Sequence, residues 1–120
     1  MSQQFEPGDF LIFQLEAGYG LLKLLAIDQN GGENATWHLS SYEDLFMDVD
    51  SADRALANTS SLRLDKPHLA LTTRAFLSTQ VARMMNAGVS DDERHIVEEW
   101  RMDPDRQVHD RSIRLLLGLR

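Results

Sequence analysis

Four histidines, His38, His68, His95 and His109, and a run of five carboxylates, Glu43, Asp44, Asp48, Asp50 and Asp53, are the residues of this chain best suited to chemistry. A histidine can move a proton near neutral pH or ligate a metal; carboxylates can hold hard cations or attract the cations of a partner. No His-x-His or His-Glu-x-x-His set groups the histidines. A metal site needs three or four converging ligands, so none is expected here. His95 with Glu99, and Asp105 with His109, stand four residues apart, which suits surface ion pairs on a helix. The carboxylate run lacks the Asp-x-Asp-x-Asp-Gly frame and the distal Glu of a calcium loop. It reads as a solvated ridge, or as one that offers carboxylates to the Lys and Arg of a protein partner. His38, Ser40, Ser41 and Asp44 are the residue types of a hydrolase triad. Residues this close on a strand do not converge by spacing alone, and no Gly-x-Ser-x-Gly elbow is present.

Aromatic residues suggest a second candidate. Trp37, His38 and Tyr42 could line a small-molecule pocket on a sheet, with Tyr19 and Phe46 near them, or they could pack in the core and across strands. Gly18-Tyr19-Gly20 and Gln29-Asn30-Gly31-Gly32 make neither a Gly-x-Gly-x-x-Gly fingerprint nor a Walker loop, so they read as hairpin turns and no cofactor is expected. The chain has no cysteine. That excludes disulfides, thiolate zinc sites, iron–sulfur ligation and a cysteine nucleophile.

Charge narrows the partners. Residues 1–60 hold Lys23 and Arg54 against ten acids and residues 61–120 hold ten bases against nine, so the halves carry −8 and +1 of a net −7. Nonspecific nucleic-acid binding needs clustered Lys and Arg and is not expected. Arg101, Arg106, Arg111, Arg114 and Arg120 crowd the C-terminal stretch. Their planar forks suit bridges to the acidic first half, or a self-complementary homodimer contact. The first seven residues carry no signal-peptide pattern and no segment is long and apolar enough for a membrane span, so a cytoplasmic protein without a membrane role is expected.

The elements that must position these residues follow from pattern. Glu6-Pro7-Gly8-Asp9 is turn chemistry, Phe10–Glu16 reads as a strand, and Ala17–Gly20 as a tight reversal into a second strand over Gly20–Asp28. Past the Gly31-Gly32 turn, Ala35–Ser40 alternates as a third strand, with Trp37 and Leu39 on one face and Thr36 and His38 on the other. Leu45, Phe46, Met47 and Val49 anchor the acidic stretch, and a short helix is expected from about Ser51 to Leu56. Ser61–Asp65 and His68–Thr72 read as extended segments split by Pro67. Residues 74–86 fit a helix through Leu77, Val81, Met84 and Met85, or an edge strand over Thr79–Met84, with the strand favoured. Ser90-Asp91-Asp92-Glu93 is a capping box that opens a helix with Ile96, Val97 and Trp100 on its core face. Asp103-Pro104 stops it and offers a new N-cap, and Ile113–Leu119 reads as a last helix closed by Gly118, with Leu119 folding back on Ile113. Strands that lead and helices that follow make a single α+β domain over residues 1–120, built on a small antiparallel sheet or SH3-like barrel.

Pro7-Gly8-Asp9 leading into Phe10-Leu11-Ile12-Phe13, then Gly18-Tyr19-Gly20 leading into a second strand, resembles the opening of small-barrel immunity proteins of bacterial polymorphic toxin systems. The resemblance covers about the first quarter of the chain. It implies a non-enzymatic cytoplasmic protein that binds and blocks a toxin, and an acidic binder facing a basic toxin suits the charge. The leading expectation is therefore a non-catalytic protein-binding domain that meets a basic partner through Tyr42, Glu43, Asp44, Phe46, Asp48 and Asp50. The alternatives are a small-molecule-binding or enzymatic domain with its pocket at Trp37, His38 and Tyr42, and a self-associating structural subunit.

Overall fold

A computed structural model of the chain describes residues 4–29 and 34–119; the expected Asn30–Gly32 turn and Arg120 lie outside the described residues. Five strands, β1 (Asp9–Leu15), β2 (Gly18–Gln29), β3 (Ala35–Phe46), β4 (Leu64–Thr72) and β5 (Ala82–Asn86), form one antiparallel sheet in the order β4-β3-β2-β1-β5. Helices α1 (Val49–Ala55), α2 (Thr73–Thr79), α3 (Asp91–Met102) and α4 (Ile113–Leu117) complete an α+β fold. The sheet is open, not a closed SH3-like barrel. β4 and β5 are its two edges, and the outer edge of β4 is occupied by the chain at His109, which donates its N–H to Ala70 O (2.8 Å) and accepts from Thr72 N (2.9 Å).

Both faces of the sheet are covered. Leu11, Phe13 and Leu15 of β1 join Leu22, Leu24, Leu39, Phe76 and Ile113 in one core cluster, whereas Phe10 and Ile12 join Leu21, Ala52 and Leu56 in the other. The alternation in β1 is the period-2 pattern of a strand. The leucine run of β2 is continuous because helices lie over both sides of it, as in any strand buried on two faces.

Several boundaries differ from the sequence expectations. The β1–β2 turn has its tip at Glu16-Ala17, with Gly18 already paired to Leu15. Gly18 has φ 146°, and a Cβ there would stand 2.3 Å from the Phe46 carbonyl oxygen, so this glycine lets the end of β3 close on the hairpin. β3 runs on to Phe46 and so takes in the first acids of the ridge, and α1 starts at Val49, two residues before the expected Ser51. β4 runs through Pro67 where its register against β3 shifts, between the Leu39–Leu69 and Ser41–Lys66 pairs, and such an irregularity accommodates a residue that has no N–H to give the ladder. Residues 74–86 are neither all helix nor all strand: α2 ends at Gln80 in the left-handed region (φ 57°), and β5 then pairs with β1. α3 carries the expected capping box, with the Ser90 hydroxyl accepting from Glu93 N and the Glu93 carboxylate accepting from Ser90 N. It ends before Asp103, which starts no new helix. Gly118 (φ 68°) closes α4, and the Leu119 N–H reaches Arg114 O while its side chain packs on the cluster that holds Ile113.

Candidate functional site

The acidic ridge sits where β3 leaves the sheet and enters α1. Alternation divides it. Tyr42 and Phe46 turn inward to the cluster around Phe10, with the Tyr42 ring 5.8 Å from that of Phe10 and its hydroxyl pKa raised by burial. Glu43, Leu45 and Met47 point the other way and are exposed, Leu45 by 51% and Met47 by 89%. Two of the carboxylates have structural work. Asp44 accepts from Arg63 N (2.7 Å) and so ties β3 to the chain entering β4, and Asp48 caps α1 by accepting from Ser51 N (2.7 Å). These bonds to Ser51 hold the Asp48 carboxyl below its ordinary range. Glu43, Asp50 and Asp53 remain as exposed carboxylates. Among the described residues, no ion pair engages Glu43, Asp44, Asp48, Asp50 or Asp53.

Trp37, His38 and Tyr42 do not line one pocket. Trp37 lies on the face opposite Tyr42, stacked on Phe76 with ring centroids 4.2 Å apart and 5° between planes, and its Nε1–H donates to Thr73 Oγ1 (3.0 Å). Alternation along β3 puts His38 on the other face from Trp37, as the pattern indicates.

His38 is the centre of a cluster that sequence reading did not assemble. Its side chain is fully buried. Its Nε2 stands 2.9 Å from Asp28 Oδ2, and its Nδ1 stands 2.9 Å from His68 Nε2. Arg101 of α3 closes the far end, donating from Nε to Asp28 Oδ2 (3.1 Å) and from a terminal nitrogen to Asp28 Oδ1 (2.5 Å). Trp100 covers the pair, its ring edge-on to His38 with centroids 4.8 Å apart, and Arg106 lies over the Trp100 ring. Register explains the convergence. His38 pairs with Ala26 and with Ala70, so Asp28 and His68 each lie two residues from its partner, on diagonals of the same face. The shift in register between Leu24 and Ala26 makes this so. Without the extra residue there, every later β2 side chain would turn to the opposite face and Asp28 would leave His38.

The electrostatics follow the geometry. The Arg101 guanidinium, aided by His38, keeps the Asp28 carboxyl below its ordinary range. Burial pushes His38 down and pushes His68 down to about 4, so both imidazoles are neutral at pH 7. His68 and Arg101 could not be drawn to His38 from spacing, since they lie 30 residues or more away along the chain; only strand pairing joins them. The cluster has donors, acceptors and a covered interior, but no hydroxyl or thiol nucleophile among its members, and no group of three metal-binding side chains occurs among the described residues. His95 and Glu99 make the expected exposed i,i+4 pair (3.1 Å). Arg101–Asp28 and Lys23–Glu93 (2.9 Å) join the acidic first half to the second half within one chain. No helix among the described residues is long and apolar enough to cross a membrane. Compared with known protein families, curated proteins and solved structures, the chain matches none.

Proposed function

We propose that the chain is a non-catalytic protein-binding domain that meets a basic partner on the ridge between Glu43 and Asp53. One observation carries this reading: the ridge carboxylates take no part in the ion pairs of the described residues, and Leu45, Met47 and Val49 stand exposed among them. Charge that the fold does not neutralise steers an opposite charge to it, and apolar side chains inside that field gain most when a partner dries them. In this reading Met47 and Leu45 are the anchors, Glu43, Asp50 and Asp53 supply rate and specificity, and Tyr42, Phe46, Asp44 and Asp48 hold the ridge in shape. Neutralisation of a basic toxin by occlusion is the specific form implied by the resemblance of the first two strands.

The test compares two immobilised proteins, the wild type and a variant with Glu43→Gln, Met47→Ser, Asp50→Asn and Asp53→Asn. Host lysate is passed over both and eluted in salt steps. A basic protein retained stoichiometrically by the wild type, released by salt and lost by a variant of unchanged circular dichroism supports the reading. Equal retention by both proteins, or none by either, overturns it.

A further inference from the structure

The face of the sheet beneath α3 is built unlike the face beneath α2 and α4. Phe76 and Ile113 bury α2 and α4 in an apolar cluster, whereas α3 has one fully buried side chain, Val97. The rest of its attachment is polar. Near its start Glu93 pairs with Lys23, and near its end Arg101 grips Asp28 while Trp100 lies against His38 and His68. The C-terminal half of α3 therefore rests on two imidazoles.

The hydrogens of that pair can be counted. A carboxylate only accepts, so neutral His38 carries its hydrogen on Nε2, toward Asp28, and its bare Nδ1 accepts from His68 Nε2–H. One added proton is accommodated: a His38 imidazolium donates from both nitrogens, and His68 changes tautomer to accept at Nε2. A second added proton is not. It sets N–H against N–H across 2.9 Å and puts two cations in a site that faces one carboxylate. The charged groups around the pair are Asp28 from β2, Arg101 from α3 with Glu98 as its second partner, and Arg106 beyond Trp100. Lys66, two residues before His68 on β4, is exposed. Cations outnumber anions, so nothing there absorbs the second charge.

We propose that the His38–His68 contact is a proton-counting latch on α3: it stays closed with one added proton and opens on the second, freeing Trp100 and the C-terminal half of the helix from the sheet. The Lys23–Glu93 bridge sits at the other end of α3. Burial opposes ionisation of Glu93, but the bonds from Ser90 N and Lys23 outweigh it and keep this carboxyl below its ordinary range. At the other end Arg101 shares Asp28 Oδ2 with His38, so added imidazolium charge competes with it for that one carboxylate; the end of α3 lets go while its start stays attached, and the helix swings instead of dissociating.

Hydrogen exchange read by mass spectrometry tests this, with rates corrected for the pH dependence of intrinsic exchange. As pH falls from 7 to 4, wild-type amides over residues 96–102 are expected to lose protection by about tenfold or more while β1, β2 and α2 hold theirs. His68→Gln keeps a group that both donates and accepts but takes no proton, so its α3 stays protected over the same range. Loss of protection in α3 and the sheet together, or opening of His68→Gln at the wild-type pH, overturns the proposal. Imidazole nitrogen NMR of the wild type is a check that needs no variant. His38 and His68 should titrate as a coupled pair whose second step coincides with a shift of the Trp100 indole, and independent titration overturns the latch.

Discussion

His38 and His68 lie on neighbouring strands with ring nitrogens 2.9 Å apart, so two imidazoles share a single hydrogen bond beneath Trp100. Neither ring is neutral by chance. Burial depresses both; the neighbouring His38 further disfavours a charge on His68, and Arg101 disfavours one on His38.

Stability should therefore fall on mild acidification, before the carboxylates titrate. An unfolded histidine binds its proton near pH 6.5, whereas folded His68 binds it only at about 4, so over that window the unfolded state holds more protons. Stability is highest above pH 6.5 and declines as pH drops toward 4, by roughly 2–3 kcal/mol after allowance for the partial exposure of His68. Urea unfolding at pH 7.0, 5.5 and 4.5 measures this. A flat profile in the wild type would sink it.

Asp28 and Arg101 should act as one unit. Asp28→Asn removes the counter-charge of Arg101 and turns one of two acceptor oxygens into a donor, so the His38 tautomer is no longer fixed, at a cost of about 1–3 kcal/mol. Arg101→Gln should cost less, since its side chain is partly in water. A double-mutant cycle in thermal unfolding should give a coupling of about 1 kcal/mol; additive effects would show that the contact contributes nothing.

Ridge carboxylates should divide into two classes. Asp48→Ala removes the α1 cap and should cost about 1 kcal/mol. Glu43→Gln, Asp50→Asn and Asp53→Asn touch no bond and should stay within about 0.5 kcal/mol of the wild type. Chemical denaturation of the four single variants distinguishes them.

The opposite face should answer to volume. Phe76→Ala removes the ring that Trp37 stacks on and Phe5 meets edge-on, and should cost about 3–5 kcal/mol. Trp37 fluorescence should redden in the folded variant, whereas the His38 titration should be unchanged, because the ring lies across the sheet from it.

What was legible in the sequence was local. Ser90 and Glu93 announce α3 through bonds only three residues long, and Gly118 marks the end of α4 in the same way. The first hairpin was legible because Phe10–Leu15 alternates and glycines follow it. Residues 74–86 were ambiguous for a physical reason: α2 and β5 are separated by a two-residue junction at Gln80, and the apolar side chains of both fit either period. The candidate site was only half legible. Exposed carboxylates announce themselves, but which of them cap or brace depends on where β3 ends. The histidine cluster was hidden because Asp28 reaches the face of His38 through one extra residue at a bulge, and a single residue of register is invisible to an apolar pattern that is continuous.

The pairing of β5 with β1 has a consequence for synthesis. Asp9 and Asn86 meet across 77 residues of chain. While the protein emerges from the ribosome, β2 can zip onto β1 at once, but the other side of β1 offers its unsatisfied N–H and C=O groups until Asn86 has cleared the exit tunnel. A nascent chain stalled or cut before residue 82 thus displays a strand of Phe10, Leu11, Ile12 and Phe13 with one raw edge, the kind of surface on which another chain can pair.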